Sequence, residues 1–131
     1  MRILLDTHIA LWALADDARL PAKARQLIGD ADNVVIVSAV SVWEIAIKHA
    51  LPRGTRNDIP ISGTQALKYF AAAGFQILAV TAEHAAAVDF LGDPHAGPFD
   101  RLILEQAITE PLRLLTHDKR VAEYSDSIVL V

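Results

Sequence analysis

The stretch Arg2-Ile3-Leu4-Leu5-Asp6-Thr7 decides the fold. Three apolar residues run without alternation and stop at an acid. Such a run reads as a strand covered on both faces. The signature recurs along the chain. Val34-Val35-Ile36-Val37 is a β-branched run, Ile77 to Val80 and Leu112 to Thr116 are two more, and Ile128 to Val131 is the last. Helical stretches lie between them. Ile9 to Leu14 is short and rich in Ala and Leu. Pro21 suits the first turn of a helix reaching about Ile28, with Gly29 as its stop. Ala39 to about Leu51 is long and ends at Pro52. Thr64 to Ala73 stops at Gly74, Thr81 caps a helix to about Leu91, Pro98 opens another to about Ile108, and Lys119 to Tyr124 forms a short one. Residues 52–61 and 92–98 read as loops. Strands that alternate with helices predict an α/β protein, here a single three-layer α/β/α domain over 1–131 with a mainly parallel central sheet.

The composition agrees with one packed domain. The chain has 131 residues, 53% apolar and 21% charged, too apolar and too balanced for disorder. It has no cysteine, which excludes disulfide scaffolds, cysteine-held metals and thiol nucleophiles. The N-terminus reaches an acid too early for a secretory signal, and no apolar run approaches the ~20 residues that span a bilayer. The expectation is a soluble cytoplasmic protein with no membrane contact. The net charge is −4, so a broad basic surface for nucleic acid is not expected.

In parallel sheets the chemistry sits beyond the carboxyl ends of the strands. Asp6 follows the first strand and Asp118 the fourth, after Thr116-His117. Asp100 opens the helix leading into the fourth strand, and Glu44 lies in the helix after the second. Each also has a plain reading. Asp6 and Asp118 can cap the helices that follow them. Asp100 can complement a helix dipole. Glu44 can form an i,i+4 surface pair with Lys48, worth about 0.3 kcal/mol. Ser41, Glu44 and Lys48 make the only polar stripe on an otherwise apolar helix, which is expected to face a cleft or a solvent edge.

If the first, second and fourth strands are neighbours, the four acids converge. Clustered carboxylates repel, and a hard divalent cation relieves them. Oxygen-only ligands suit Mg²⁺ or Mn²⁺, which also stabilise charge on a phosphodiester in flight. Setting the four acids aside leaves twelve acids against twelve basic residues. The net charge therefore does not exclude an RNA or DNA substrate.

Leu4-Leu5-Asp6-Thr7-His8, Val37 to Lys48 with Trp43-Glu44 at its centre, Pro98-Phe99-Asp100-Arg101 and Leu115-Thr116-His117-Asp118 together resemble the PIN-domain ribonucleases, in particular the toxins of VapBC-type toxin–antitoxin pairs. The resemblance spans the chain from Ile3 to the final strand. It implies a parallel sheet between helices and an acidic quartet, Asp6, Glu44, Asp100 and Asp118, that is both catalytic and metal-binding with Mg²⁺ (or Mn²⁺). It implies endonucleolytic hydrolysis of RNA, commonly tRNA or rRNA. In this reaction water attacks phosphorus in line, the 3′ oxygen leaves, and the product keeps a 5′ phosphate. It implies a cognate antitoxin that covers the acidic groove, and a homodimer. Thr116 matches the family's polar residue two before the last acid. Thr7 and Ser41, beside matched acids, are expected to orient them or a water. One departure stands out: many relatives place Asp before Pro-Phe-Asp, where this chain has Gly97.

His8 and His117 flank quartet acids and read as rim residues rather than ligands. His49, His84 and His95 have no partner visible in sequence. Lys48, Arg53, Arg56, Arg101, Lys119 and Arg120 can meet flanking phosphates, with Arg101 first because it follows Asp100. Trp12 and Trp43 can stack on bases, but on apolar helices they read as core. Rival readings are a receiver-like or degenerate module that binds without cutting, and a small metallophosphoesterase suggested by Asp6-Thr7-His8, Gly92-Asp93 and His117-Asp118. Thr116 stands where the latter needs Asn. A haloacid-dehalogenase-like phosphatase needs Asp where His8 stands.

Overall fold

A computed structural model describes residues 1–52, 59–91 and 97–131. Arg53, Arg56, His95 and Gly92-Asp93 lie outside the described residues. Five strands form one sheet: β1 (Arg2–Leu5), β2 (Val34–Ser38), β3 (Gln76–Leu78), β4 (Arg113–Thr116) and β5 (Val129–Leu130). Their order is β3-β2-β1-β4-β5, and every pairing is parallel. Each crossover therefore carries helix. These are α1 (Thr7–Ala15), α2 (Ala22–Gly29), α3 (Ala39–His49), α4 (Gly63–Ala72), α5 (Ala82–Ala87), α6 (Pro98–Thr109) and α7 (Lys119–Ala122). A 3₁₀ turn, Val88–Leu91, follows α5 where a continuous helix was expected.

Successive residues of a strand point to opposite faces, and here both faces are covered. Ile3 and Leu5 of β1, with Val35 and Val37 of β2, pack against Ile9, Ala24, Ile45, Ala66 and Phe70. Leu4 and Ile36 turn the other way, onto Ile103, Leu104, Ala107, Leu114 and Val121. The expected three-layer α/β architecture is therefore present.

The chain builds outward from β1 through β2 to β3, then returns to the other side of β1 for β4 and β5. The direction of winding reverses between β1 and β4. At such a switch the two following segments diverge and open a crevice at the carboxyl edge. The strands that precede Asp6 and Asp118 are adjacent there, as convergence of the acids required.

Candidate active site at the carboxyl edge of the sheet

Asp6 leaves β1 in extended backbone and caps α1, its Oδ1 accepting from the Ile9 N–H at 2.9 Å. Its Oδ2 accepts from the Thr116 hydroxyl at 2.8 Å. The capping reading therefore holds for Asp6, and the same side chain also lines the cavity described next. Thr116 serves twice, since its Oγ1 also accepts from the Asp118 N–H at 3.1 Å. Asp118 caps α7 by accepting from the Arg120 N–H at 2.9 Å. Thr116 ties the ends of β1 and β4 together through the two acids.

Asp100 lies in the first turn of α6, two residues after Pro98, which occupies the first helical position. Asp6, Asp100 and Asp118 line one cavity of about 370 Å³ together with His8, Trp12, Ile103, Thr116 and His117. Burial, then the charges of Glu44 and Asp6, push the Asp100 carboxyl up to about 6, against the pull of His8 and Lys48. Burial also raises Asp6, opposed by its bonds to Ile9 and Thr116.

Glu44 does not line that cavity among its described residues. It sits behind, 4% exposed, close enough to raise both Asp6 and Asp100. Thr7 donates its hydroxyl to Glu44 Oε1 at 2.6 Å, and Lys48 donates to Oε2 at 2.6 Å. Ser41 meets the Thr7 oxygen at 2.9 Å. With its one proton given to Glu44, Thr7 accepts from Ser41. The Glu44–Lys48 pair is therefore no surface pair but a buried clamp on one acid. Thr7 and Ser41 hold that acid in place.

The polar stripe of α3 faces this cluster, inside the protein, beside the buried Val40 and Ile45, while the rest of its apolar surface faces out. Trp43 is 58% exposed, and Ile47 is exposed beside it. The core reading of Trp43 is overturned. It meets the Phe99 ring edge-on at 5.2 Å and lines an open groove with Val42, Ala46, Leu67 and Ile77. Composition gave no sign of this inversion, because Ser41 and Glu44 are buried only by virtue of partners on α1. Trp12 is half-buried and packs partly on the core.

The remaining basic and histidine residues divide. His8 and His117 stand on the cavity rim beside Trp12. Arg101 is not among the described lining residues; its Nη2 reaches the Val88 carbonyl at 3.5 Å. Lys119 and Arg120 are exposed. His49 bonds the Ile59 carbonyl at 2.7 Å.

His84 is buried, and its partners were invisible in sequence. Its Nδ1 accepts from the Thr81 N–H at 3.0 Å, so Nε2 carries the proton toward Glu110 at 2.8 Å. Gln106 donates to the Ala79 carbonyl at 3.3 Å and accepts from the Ser38 hydroxyl, which also caps α3. This chain of bonds locks the helix of Glu44 onto the helix of Asp100.

The donor set is all oxygen, and the neighbouring acids raise Asp6 and Asp100, which fits a hard cation. Among the described residues, no three acidic or histidine side chains stand together as a ready-made cage. Asp6, Glu44 and Asp118 are each engaged by hydrogen-bond donors, which fix their carboxyls in place.

A fold that winds both ways from β1, with acids from β1, α3, α6 and β4 gathered at the switch, defines a class. The PIN domain profile matches residues 3–126, and the chain belongs to that family. It is 33% identical over 123 residues to Ribonuclease VapC22 of Mycobacterium tuberculosis, covering 93% of this chain and 91% of that one. Its fold is similar to VapBC2 from Rickettsia felis, solved bound to a DNA fragment from their promoter. The TM-score is 0.67 at 18% identity, over 100% of this chain and 98% of that one. It is also similar to VapC20 of Mycobacterium tuberculosis, described as a Sarcin-Ricin loop cleaving toxin. There the TM-score is 0.62 at 20% identity, over 92% of this chain and 93% of that one. Among the described residues no helix is long and apolar enough to cross a membrane.

Proposed function

We propose that this chain is a single-domain, Mg²⁺- or Mn²⁺-dependent endoribonuclease of the toxin–antitoxin type. The observation that carries this reading is the meeting of Asp6, Asp100 and Asp118 in one cavity, with Glu44 coupled to two of them. A receiver-like module has no use for an acid inside α3 close enough to act on the charge of an acid inside α6. The 33% identity to a protein named a ribonuclease supports the activity.

Asp6, Asp100 and Asp118 would hold the cation, with Glu44 adding charge from behind. When bound, such a cation supplies acidity to water and counter-charge to the phosphodiester. The chain's own residues prepare for it. Thr116 fixes the Asp6 carboxylate. Thr7 and Lys48 hold the Glu44 carboxyl so that it cannot swing away. Asp100, free of a cap and raised to about 6, is the acid most in need of a positive partner. The reaction is hydrolysis: water adds to phosphorus and the 3′ oxygen leaves, giving a 5′ phosphate.

The RNA is tRNA or rRNA; a neighbour described as cleaving the Sarcin-Ricin loop supports a structured target. The protein works in the cytoplasm, where those RNAs are. The partner is a cognate antitoxin, which the VapBC assemblies among the structural neighbours support. The outward apolar face of α3, with Trp43 and Ile47, supports a homodimer. The test is incubation of purified, partner-free protein with pooled tRNA and single-stranded RNA in EDTA, Mg²⁺ or Mn²⁺. Cutting in the metals alone, with 5′-phosphate ends, is expected. Folded protein that cuts nothing in either metal refutes the reading.

A further inference from the structure

Trp12 belongs to two cavities at once. One is the acidic cavity of Asp6, Asp100 and Asp118. The other, also about 370 Å³, is lined by His8, Leu11, Trp12, Arg19, Lys48 and Tyr69 among others. The indole and the His8 ring are therefore the wall that the two share. One side of that wall is acidic; the other is largely apolar, with Tyr69 and the ion-paired Arg19 and Lys48 among its polar groups.

The ring is held where it stands. The His8 imidazole lies 6.0 Å away at 48°, and the His117 imidazole meets it edge-on at 6.2 Å. The Arg19 guanidinium stands 5.4 Å over the ring, and Asp17 fixes it through two contacts of 2.8 and 3.0 Å. His8 and Trp12 are four residues apart on α1, and so share one helix face. Asp6 caps the same helix. The platform and the first acid thus move as one body. A ring fixed by neighbours loses little freedom when a flat partner lands on it.

We infer that Trp12, with His8 and Arg19 around it, is a nucleobase-stacking subsite for the nucleotide next to the scissile phosphate. The inference rests on the nuclease reading above and deepens it. A strand whose phosphate sits among the acids must place an adjacent base within a nucleotide's reach of that phosphate, and Trp12 is the large aromatic side chain that lines the cavity of those acids. Stacking is tolerant of base identity, because every base has a π-face. Trp12 would therefore set affinity and strand position more than sequence. It is a positioning residue.

The test uses Trp43→Phe, which leaves Trp12 as the sole tryptophan of a chain that has two, combined with Asp100→Asn to block cutting. In Mg²⁺, a short random-sequence single-stranded RNA is compared with an abasic ribose-phosphate strand of equal length. The base-bearing strand is expected to quench Trp12 emission. Adding Trp12→Leu is expected to weaken its binding about tenfold, Trp12→Phe to restore most of that, and neither to change binding of the abasic strand. In the active protein, Trp12→Leu is expected to raise KM more than it lowers kcat. Equal weakening for both strands, or unquenched emission in a protein that binds the RNA, would assign the ring to packing or to a protein partner and overturn the proposal. If no strand binds and the active protein cuts nothing, the nuclease reading has failed first, and this proposal falls with it.

Discussion

At Asp100, burial and the charges of Glu44 and Asp6 lift the carboxyl to about 6, whereas in the unfolded chain it titrates near 3.9. Between those values the folded protein holds more protons than the unfolded one. Stability of the metal-free protein therefore falls as pH rises from about 4 to about 6, and is level above. Asp100→Asn removes that cost. We expect a gain of about 1 kcal/mol at neutral pH, discounted because the group is partly solvated, and none near pH 4. Urea denaturation at both pH values checks this; a gain of equal size at both would contradict it. Lys48 gives the opposite case. Its side chain is 20% exposed and that of its partner Glu44 only 5%. Lys48→Met leaves a buried carboxylate with one donor fewer, and is expected to cost about 2–3 kcal/mol, less than a fully buried pair. Adding Glu44→Gln should return part of that loss; a simple sum of two losses would argue against the clamp. The positions of Asp6, Asp100 and Asp118 were legible because each stands where a strand stops or a helix starts. The clamp was not, because i,i+4 spacing does not tell a solvated pair from a buried one.

Among the elements, α3 and α4 approach closely at Gly63. A Cβ there would lie 2.7 Å from the Ala46 Cβ and 3.3 Å from the Val42 carbonyl. The neighbours are helix backbone and a methyl, so neither can rotate aside. Gly63→Ala should push α4 from α3 and cost about 1–3 kcal/mol, read as a lower urea midpoint at unchanged slope. Gly29→Ala, with open space around it, is the control, and equal losses would refute the close-approach account. Two helix ends were readable from local residues: Thr81 forms a capping box, and Gly74 follows α4 at φ +83°, whereas the Ser62 capping box starts α4 at Gly63, one residue before the Thr64 expected. The third strand was read as Ile77 to Val80, whereas the ladder covers Gln76–Leu78. The Ala79 carbonyl instead accepts from Gln106 of α6. That is a tertiary bond, which no local pattern encodes. Trp43 fails for a related reason. An apolar helix face looks the same whether it meets the sheet or awaits a partner.

For the whole molecule, sheet order does the assembling. Acids from β1, α3, α6 and β4, up to 112 positions apart in the chain between Asp6 and Asp118, meet because β1 lies between β2 and β4. The parallel three-layer plan was legible from unbroken apolar runs. The strand order was not, because equivalent runs do not name their neighbours; it was needed as a condition and the fold supplies it. A centre built from repelling acids should bind a divalent cation only when folded. Mn²⁺ at a hundredfold excess over its Kd should then add about 2.7 kcal/mol to stability. A thermal melt that rises with Mn²⁺ in the wild type and stays flat in Asp100→Asn is the expected result; equal rises in both would place the cation elsewhere. The central claim is that these acids form one metal-dependent nuclease centre. Its most direct test is cleavage of pooled tRNA and single-stranded RNA by folded wild type, Asp6→Asn and Asp100→Asn, each in Mg²⁺, Mn²⁺ and EDTA. Asn keeps the cap at position 6, and circular dichroism checks that each variant is folded. We predict cutting by the wild type in the metals only, and a fall of at least about a hundredfold in each variant. Both variants cutting as well as the wild type, or cutting that persists in EDTA, would contradict it.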